Sequence, residues 1–202
     1  MPPSCPSHAV EAFYAVGRNV VHFQRLEQIL KRLALLAPIC APLSTLQSAL
    51  ETRKEKSEWL TLGNAVKKWI ESASDKKWIE RAYDTTKPLL DEQPDNEIIV
   101  SFGFELPWSP EYLDQLSAEL ESLAQERNSL IHLDLAQLDF EDEAECIALS
   151  VRLNAQNDRI IRIIEVLEPT LTRFRDLARM MSSDEMIRKI IGSVNSEPKA
   201  NE

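Results

Sequence analysis

The sequence predicts an all-α protein, an up-and-down helical bundle with long first and last helices. Three observations carry that reading. Gly is scarce, at four in 202 residues, and the apolar residues are mostly Leu, Ile and Ala, a balance that favours helix over strand. Apolar residues recur at three- and four-residue spacing along several long stretches. Turn-forming residues concentrate in few places, chiefly 84–96 (DTTKPLLDEQPDN), which reads as a loop.

The first helix is predicted from about His8 to Ala37, stopped by Pro38, with Phe13, Val16, Val20, Phe23, Ile29, Leu30 and Leu33 toward a core. Arg18, Arg25 and Arg32 recur at seven-residue spacing on another face, with His22 one turn after Arg18. Leu43–Leu50, Thr61–Ser72 and Asp75–Tyr83 read as shorter helices, and Lys54–Glu58 as a solvated connector. Glu97–Leu106 (EIIVSFGFEL) has strand character and predicts a short extended or hairpin insertion near 97–106.

The next helix has a well-marked start. Ser109 can cap, Pro110 suits the first helical position and Glu111 complements the positive end of the dipole. Leu113, Leu116, Leu120 and Leu123 mark its buried seam; four residues further stands Arg127, and then Ile131. An arginine therefore occupies a position where the spacing calls for an apolar side chain. An acidic turn, 139–145, leads into a last long helix to about Met181, with Pro169 predicted to break or kink it. Its apolar side is expected to hold Val151, Ile161, Ile164, Leu171, Phe174 and Leu177. Ser182 and Glu185 can form a capping box for a short helix, 182–192, carrying Met186, Ile187, Ile190 and Ile191. Residues 1–7 are expected to be flexible, 8–181 to form one domain, and 193–202 a disordered tail.

Composition removes several classes of function. Neither a P-loop nor a dinucleotide fingerprint is present. Cys5, Cys40 and Cys146 are far apart and form no Cys-x-x-Cys pair, so no disulfide framework, zinc site or other metal is expected. Cys40 and Cys146 read as small buried residues, and Trp59, Trp69, Trp78 and Trp108 as core or interface residues rather than base-stacking platforms. The N-terminus lacks a signal-peptide pattern, and the longest apolar run, Leu33–Leu43, is too short to span a bilayer; residence in the cytoplasm, with no membrane contact, is the expectation. A net charge of −10 argues against a protein that coats nucleic acid. It leaves room for an enzyme with a local basic cleft or for a basic partner.

The segment Leu123-Ala-Gln-Glu-Arg-Asn-Ser-Leu-Ile-His132 carries the chemistry. On a helix, Asn128 and His132 lie one turn apart on one face, and Arg127 flanks them. An imidazole can take or give a proton near neutral pH. A guanidinium can hold a scissile phosphate and the charge developing on it, and an amide can hold the imidazole in one tautomer or bind a phosphate oxygen. Such a set suits RNA cleavage by attack of the substrate's own 2′-hydroxyl, with no metal or other cofactor. The competing reading makes His132 a satisfied half-buried residue and Arg127 an ion-pair partner of Glu126 or Asp134. Arg18, His22 and Arg25 could line an RNA cleft near this centre, or simply form a solvated face with paired charges.

Arg-Asn-x-x-x-His late in a helix resembles the signature of HEPN domains, small helical bundles found in toxins, CRISPR-linked nucleases and phage-defence proteins. The opening Phe13–Glu27 is similar to the first helix of a group of uncharacterised bacterial HEPN-like proteins. The order of Phe102–Leu106, the motif helix, an acidic turn and a long closing helix is similar as well. The resemblance implies a ribonuclease acting as a toxin or defence effector, with Arg127, Asn128 and His132 as catalytic residues. It also implies a homodimer with motif helices facing across the interface, and an antitoxin or regulatory protein partner. HEPN-like domains that act as non-catalytic dimeric interaction modules are the alternative. In one group, partnered by a nucleotidyltransferase, a Tyr two residues after the His is modified; Asp134 stands at that place here, so that modification is not carried over.

Overall fold

A computed structural model describes residues 6–36, 38–42, 44–73, 99–103, 106 and 108–181. The expected helix at 75–83, the loop at 84–96 and the C-terminal helix at 182–192 lie outside the described residues. The described chain is almost wholly helical. It comprises α1 (Ser7–Leu35), β1 (Ile39–Pro42), α2 (Leu46–Glu58), α3 (Leu62–Ala73), β2 (Ile99–Phe102), α4 (Pro110–Ser129) and α5 (Glu143–Met181). A π-helical turn, Leu130–Asp134, and one further α turn, Leu135–Gln137, extend α4.

Residues that make contact fix the directions of the three long helices. Asn19 meets Leu153 and Gln156, and Arg25 meets Glu168, so α1 and α5 run side by side in the same sense. Glu119 pairs with Arg159 and Asp134 with Arg152, so α4 runs opposite to α5. The main core joins Leu26 and Leu30 of α1, Val66 and Trp69 of α3, Leu120 and Leu123 of α4, and Ile160 and Leu167 of α5. A second cluster, built from Ala9, Ala12 and Ala15 with Leu130, Cys146, Leu149 and Leu153, lies toward the start of α1 and α5. Alanines there let the two parallel helices approach closely, because interaxial distance follows side-chain size at the contact.

The α4 start is as the sequence predicts: Ser109 Oγ accepts from Tyr112 N at 3.2 Å, and Leu113, Leu116, Leu120 and Leu123 are buried. Several expectations are corrected. Phe13 is exposed and stacks on Phe140 with ring centroids 4.1 Å apart, while Val16 and Val20 are half-buried. The core face of α1 is rotated toward Ala9, Ala12, Ala15 and Asn19, which the larger apolar residues disguise. Lys54–Glu58 is not a connector but the end of α2. The short extended segment expected near 97–106 is present as β2, which pairs antiparallel with β1, Ile39 opposite Phe102 and Pro42 opposite Ile99. Pro38 and Pro42 conceal β1 in the sequence, and a two-stranded ribbon tolerates them because its strands are edges.

Helix α5 runs through Pro169 without interruption. Buried Ile163, Ile164 and Leu167 before the proline, and Leu171 and Phe174 packed after it, hold both sides against the main core. That burial offsets the hydrogen bond a proline removes. Val151, expected inside, is exposed, and Trp59, expected in the core or at an interface, is 88% exposed and so stands outside the core. No helix among the described residues is long and apolar enough to cross a membrane.

Candidate functional site

Arg127 lies at the last α turn of α4, on the continuation of the leucine seam. Its stem is half-buried beside a cleft of about 110 Å³ between α4 and α1, lined by Val20, Phe23, Gln24, Glu27, Leu130 and Ile131. An arginine can occupy a seam in this way because its methylenes pack while its head reaches polar surroundings. The guanidinium donates from Nη1 to Asn128 Oδ1 at 3.1 Å.

The two carboxylates that the sequence offered to Arg127, Glu126 and Asp134, are committed elsewhere, and Glu27 in the cleft lining pairs with Lys31. Glu126 accepts from Ser122 Oγ at 2.9 Å, from Gln156 Nε2 at 2.9 Å and from Arg159 Nη1 at 2.6 Å. Asp134 accepts from Ser129 Oγ at 3.3 Å and from Arg152 Nη2 at 2.6 Å. The reading of Arg127 as an ion-pair partner of Glu126 or Asp134 is therefore overturned. Among the described residues no carboxylate pairs with Arg127, and its charge stays available to an incoming anion.

Asn128 and His132 are exposed. His132 is carried by the π-helical turn, where Leu135 N–H bonds to Leu130 O, five residues back. Five residues overshoot one turn of an α-helix, whereas in π geometry they close a single hydrogen-bonded turn. Leu130 remains fully buried within it, so the turn anchors its first residue in the core while presenting the imidazole to solvent. The arrangement offers a cation, an amide and a titratable base at one exposed helix end.

The second predicted group, Arg18, His22 and Arg25, is not brought to Arg127. These residues face α5: Arg18 Nη2 donates to Asn154 Oδ1 at 2.7 Å, and His22 Nδ1 lies 2.6 Å from Asn157 Oδ1. Arg25 makes a two-oxygen contact with Glu168 at 2.7 and 2.8 Å. The α1 residues that adjoin Arg127 are Val20, Phe23, Gln24 and Glu27, the last paired with Lys31 at 2.8 Å. Seven-residue spacing identified a common face correctly but could not say which helix that face meets.

Sequence reasoning missed the polar seam that holds α4 to α5. Asn19, fully buried, donates to Leu153 O at 2.8 Å and to Gln156 Oε1 at 2.9 Å. Gln156 passes the chain to Glu126, and Arg159 joins Glu126 to Glu119 through Nε at 2.6 Å. Burial works to raise the Glu126 carboxyl, but bonds from Gln156, Arg159 and Ser122 with the Arg159 charge outweigh it and hold the group below its ordinary range. The bond to Glu119, then Glu126, holds the Arg159 guanidinium above its own ordinary range against the effect of burial. Asn19 standing between Ala12, Ala15 and Phe23 at helical spacing was the available signal, a polar residue at a seam position.

The acidic turn is accounted for by capping. Asp142 Oδ1 accepts from Ala144 N at 2.8 Å and Glu145 N at 3.1 Å at the start of α5. Among the described residues no cluster of His, Cys, Asp or Glu is placed to hold a metal ion. Comparison with family models, with curated proteins and with solved structures finds no match to this chain.

Proposed function

We propose that the chain is a metal-independent endoribonuclease of HEPN type that cuts RNA through 2′-hydroxyl attack. The observation that supports this most is the uncommitted Arg127 guanidinium next to Asn128, with His132 exposed on the adjoining π turn. In this reading Arg127 grips the non-bridging phosphate oxygens, and the pentavalent charge that grows on them strengthens the contact in the transition state. His132 takes the proton from the 2′-oxygen as that oxygen bonds to phosphorus, and the P–O5′ bond breaks as the 5′-oxygen takes a proton from water. The products are a 2′,3′-cyclic phosphate and a 5′-hydroxyl. Asn128, already bonded to Arg127, keeps the guanidinium from swinging to solvent.

The resemblance to HEPN toxins and defence proteins supports a role in growth arrest, with a homodimer and an antitoxin or regulatory partner as expected associates. Cleavage of a labelled RNA and of its 2′-deoxy analogue, with a chelator present, tests the reading. Parent protein should cut only the RNA, and Arg127→Ala and His132→Ala should each slow cutting by about 100-fold or more with melting temperature unchanged. Cleavage of the 2′-deoxy strand, or full activity in both variants, refutes it. The second reading, a non-catalytic HEPN-like interaction module, is favoured by the exposed apolar side chains of Val10, Tyr14 and Val21 on α1. It predicts no RNA cleavage and no growth defect on expression.

A further inference from the structure

We infer that the cleft beside Arg127 seats one pyrimidine base, that of the ribonucleotide whose 3′-phosphate Arg127 holds. Because it names a substrate for that same centre, the inference rests on the ribonuclease reading.

Size decides the class of base. The cleft between α1 and α4 encloses about 110 Å³. An apolar cavity of about 150 Å³ takes one benzene ring. A single pyrimidine ring, entering edge first with its sugar left outside, therefore comes near to filling the cleft. The fused double ring of a purine exceeds it. The walls suit the faces of a flat ring: Phe23 of α1 and Leu130 of the π turn are buried, and Val20 and Ile131 are half-buried. A ring placed among them leaves water for apolar contact with both helices.

The polar groups of the lining suit the edge of such a base. Gln24 is exposed, and its amide makes no hydrogen bond among the described residues. Glu27 gives Oε1 to Lys31 at 2.8 Å, which leaves Oε2 as an acceptor. One donor beside one acceptor matches uracil, which presents O4 next to N3–H. It matches cytosine equally, which presents N3 next to the 4-amino group. Lys31 offsets the Glu27 charge, so the carboxylate does not drive off a phosphate close by.

Arg127 lines the same cleft, and its guanidinium is bonded to the neutral amide of Asn128. A phosphate one ribose away from the seated base thus meets an uncommitted cation. The two parts divide the work: Arg127 grips the phosphate of any nucleotide, and the cleft adds contact only for a base that fits. Unpaired bases in single-stranded RNA are free to enter such a seat, whereas bases in a duplex are not.

Calorimetric titration with the 3′-monophosphates of uridine, cytidine, adenosine and guanosine tests the proposal without any RNA being cut. The two pyrimidine nucleotides should bind at least about tenfold more tightly than the purine nucleotides or inorganic phosphate. Gln24→Leu, at an exposed position, should weaken uridine 3′-monophosphate about fivefold with melting temperature unchanged. Val20→Phe, which fills the cleft, should abolish the preference for pyrimidines. Purine nucleotides that bind as tightly as pyrimidine ones overturn the proposal. So does the absence of any nucleotide binding at millimolar concentration, or a preference that survives both substitutions. RNA cut after every base alike overturns it too, and leaves the ribonuclease reading standing. The stated preference in binding, with RNA left intact, sinks the ribonuclease reading and leaves a pyrimidine-nucleotide site.

Discussion

Two arginines on opposite sides of α4 show how differently one helix can use the same side chain. Arg159 reaches from α5 into a seam where Glu119, Glu126 and Ser122 take its donors at 2.6, 2.6 and 3.2 Å. Arg127 reaches from α4 into the cleft against α1, and the neutral amide of Asn128 takes its bond. One charge is spent on holding helices together and the other is left unspent. Removing a charge of the first kind strands its carboxylates, whereas removing the second kind strands nothing, so stability and function should separate between the two sites.

The largest effect should come from Arg159→Ala, which leaves Glu119 and Glu126 half-buried without a cation. A loss of about 2 kcal/mol is expected, between the values for exposed and buried pairs, or roughly 6 °C in melting temperature for a chain of this size. Asn19→Ala should follow at about 1–2 kcal/mol, since Leu153 O and Gln156 lose a buried donor. Denaturant titration of both variants checks the order. A double variant that loses no more than the larger single one would show that the seam acts as one network.

Acid should weaken the seam through Glu126. The folded Glu126 carboxyl lies below its ordinary range, so its contribution is fully present above the unfolded pKa and is lost as pH falls through the folded value. Parent protein should therefore lose more stability than Glu126→Gln between neutral and strongly acidic pH; equal loss in both would remove Glu126 from the acid response. Arg152→Ala, which breaks an exposed contact to Asp134, should cost only about 0.5 kcal/mol. Arg127→Ala should change stability least, within about 0.5 kcal/mol. A drop as large as that of Arg159→Ala would mean that Arg127 is a structural residue after all.

The leucine seam of α4 and its Ser109 start were legible because local rules fix them: period, cap and proline position. The α1 core face was misread because Phe13 and Val20 looked more hydrophobic than Ala9, Ala12 and Ala15, yet close parallel packing on α5 selects small residues. β1 was illegible because its partner lies about sixty residues away and strand pairing is a non-local property. Trp59 was read as a core or interface residue on its type, and its exposure removes the core alternative.

For the candidate site the division is similar. The sequence by itself determined that Arg127 breaks an apolar seam, that Asn128 and His132 share its helix end, and that the protein is all-α. Spacing and residue type suffice for those statements, since they concern one helix. Only the tertiary structure decided that Glu126 and Asp134 are taken by Arg159 and Arg152, and that Arg18, His22 and Arg25 turn to α5. It also decided that a π turn presents His132 to solvent. Each of these depends on which helix stands opposite, and a hydrogen-bond partner 30 or 143 residues away leaves no mark on local periodicity.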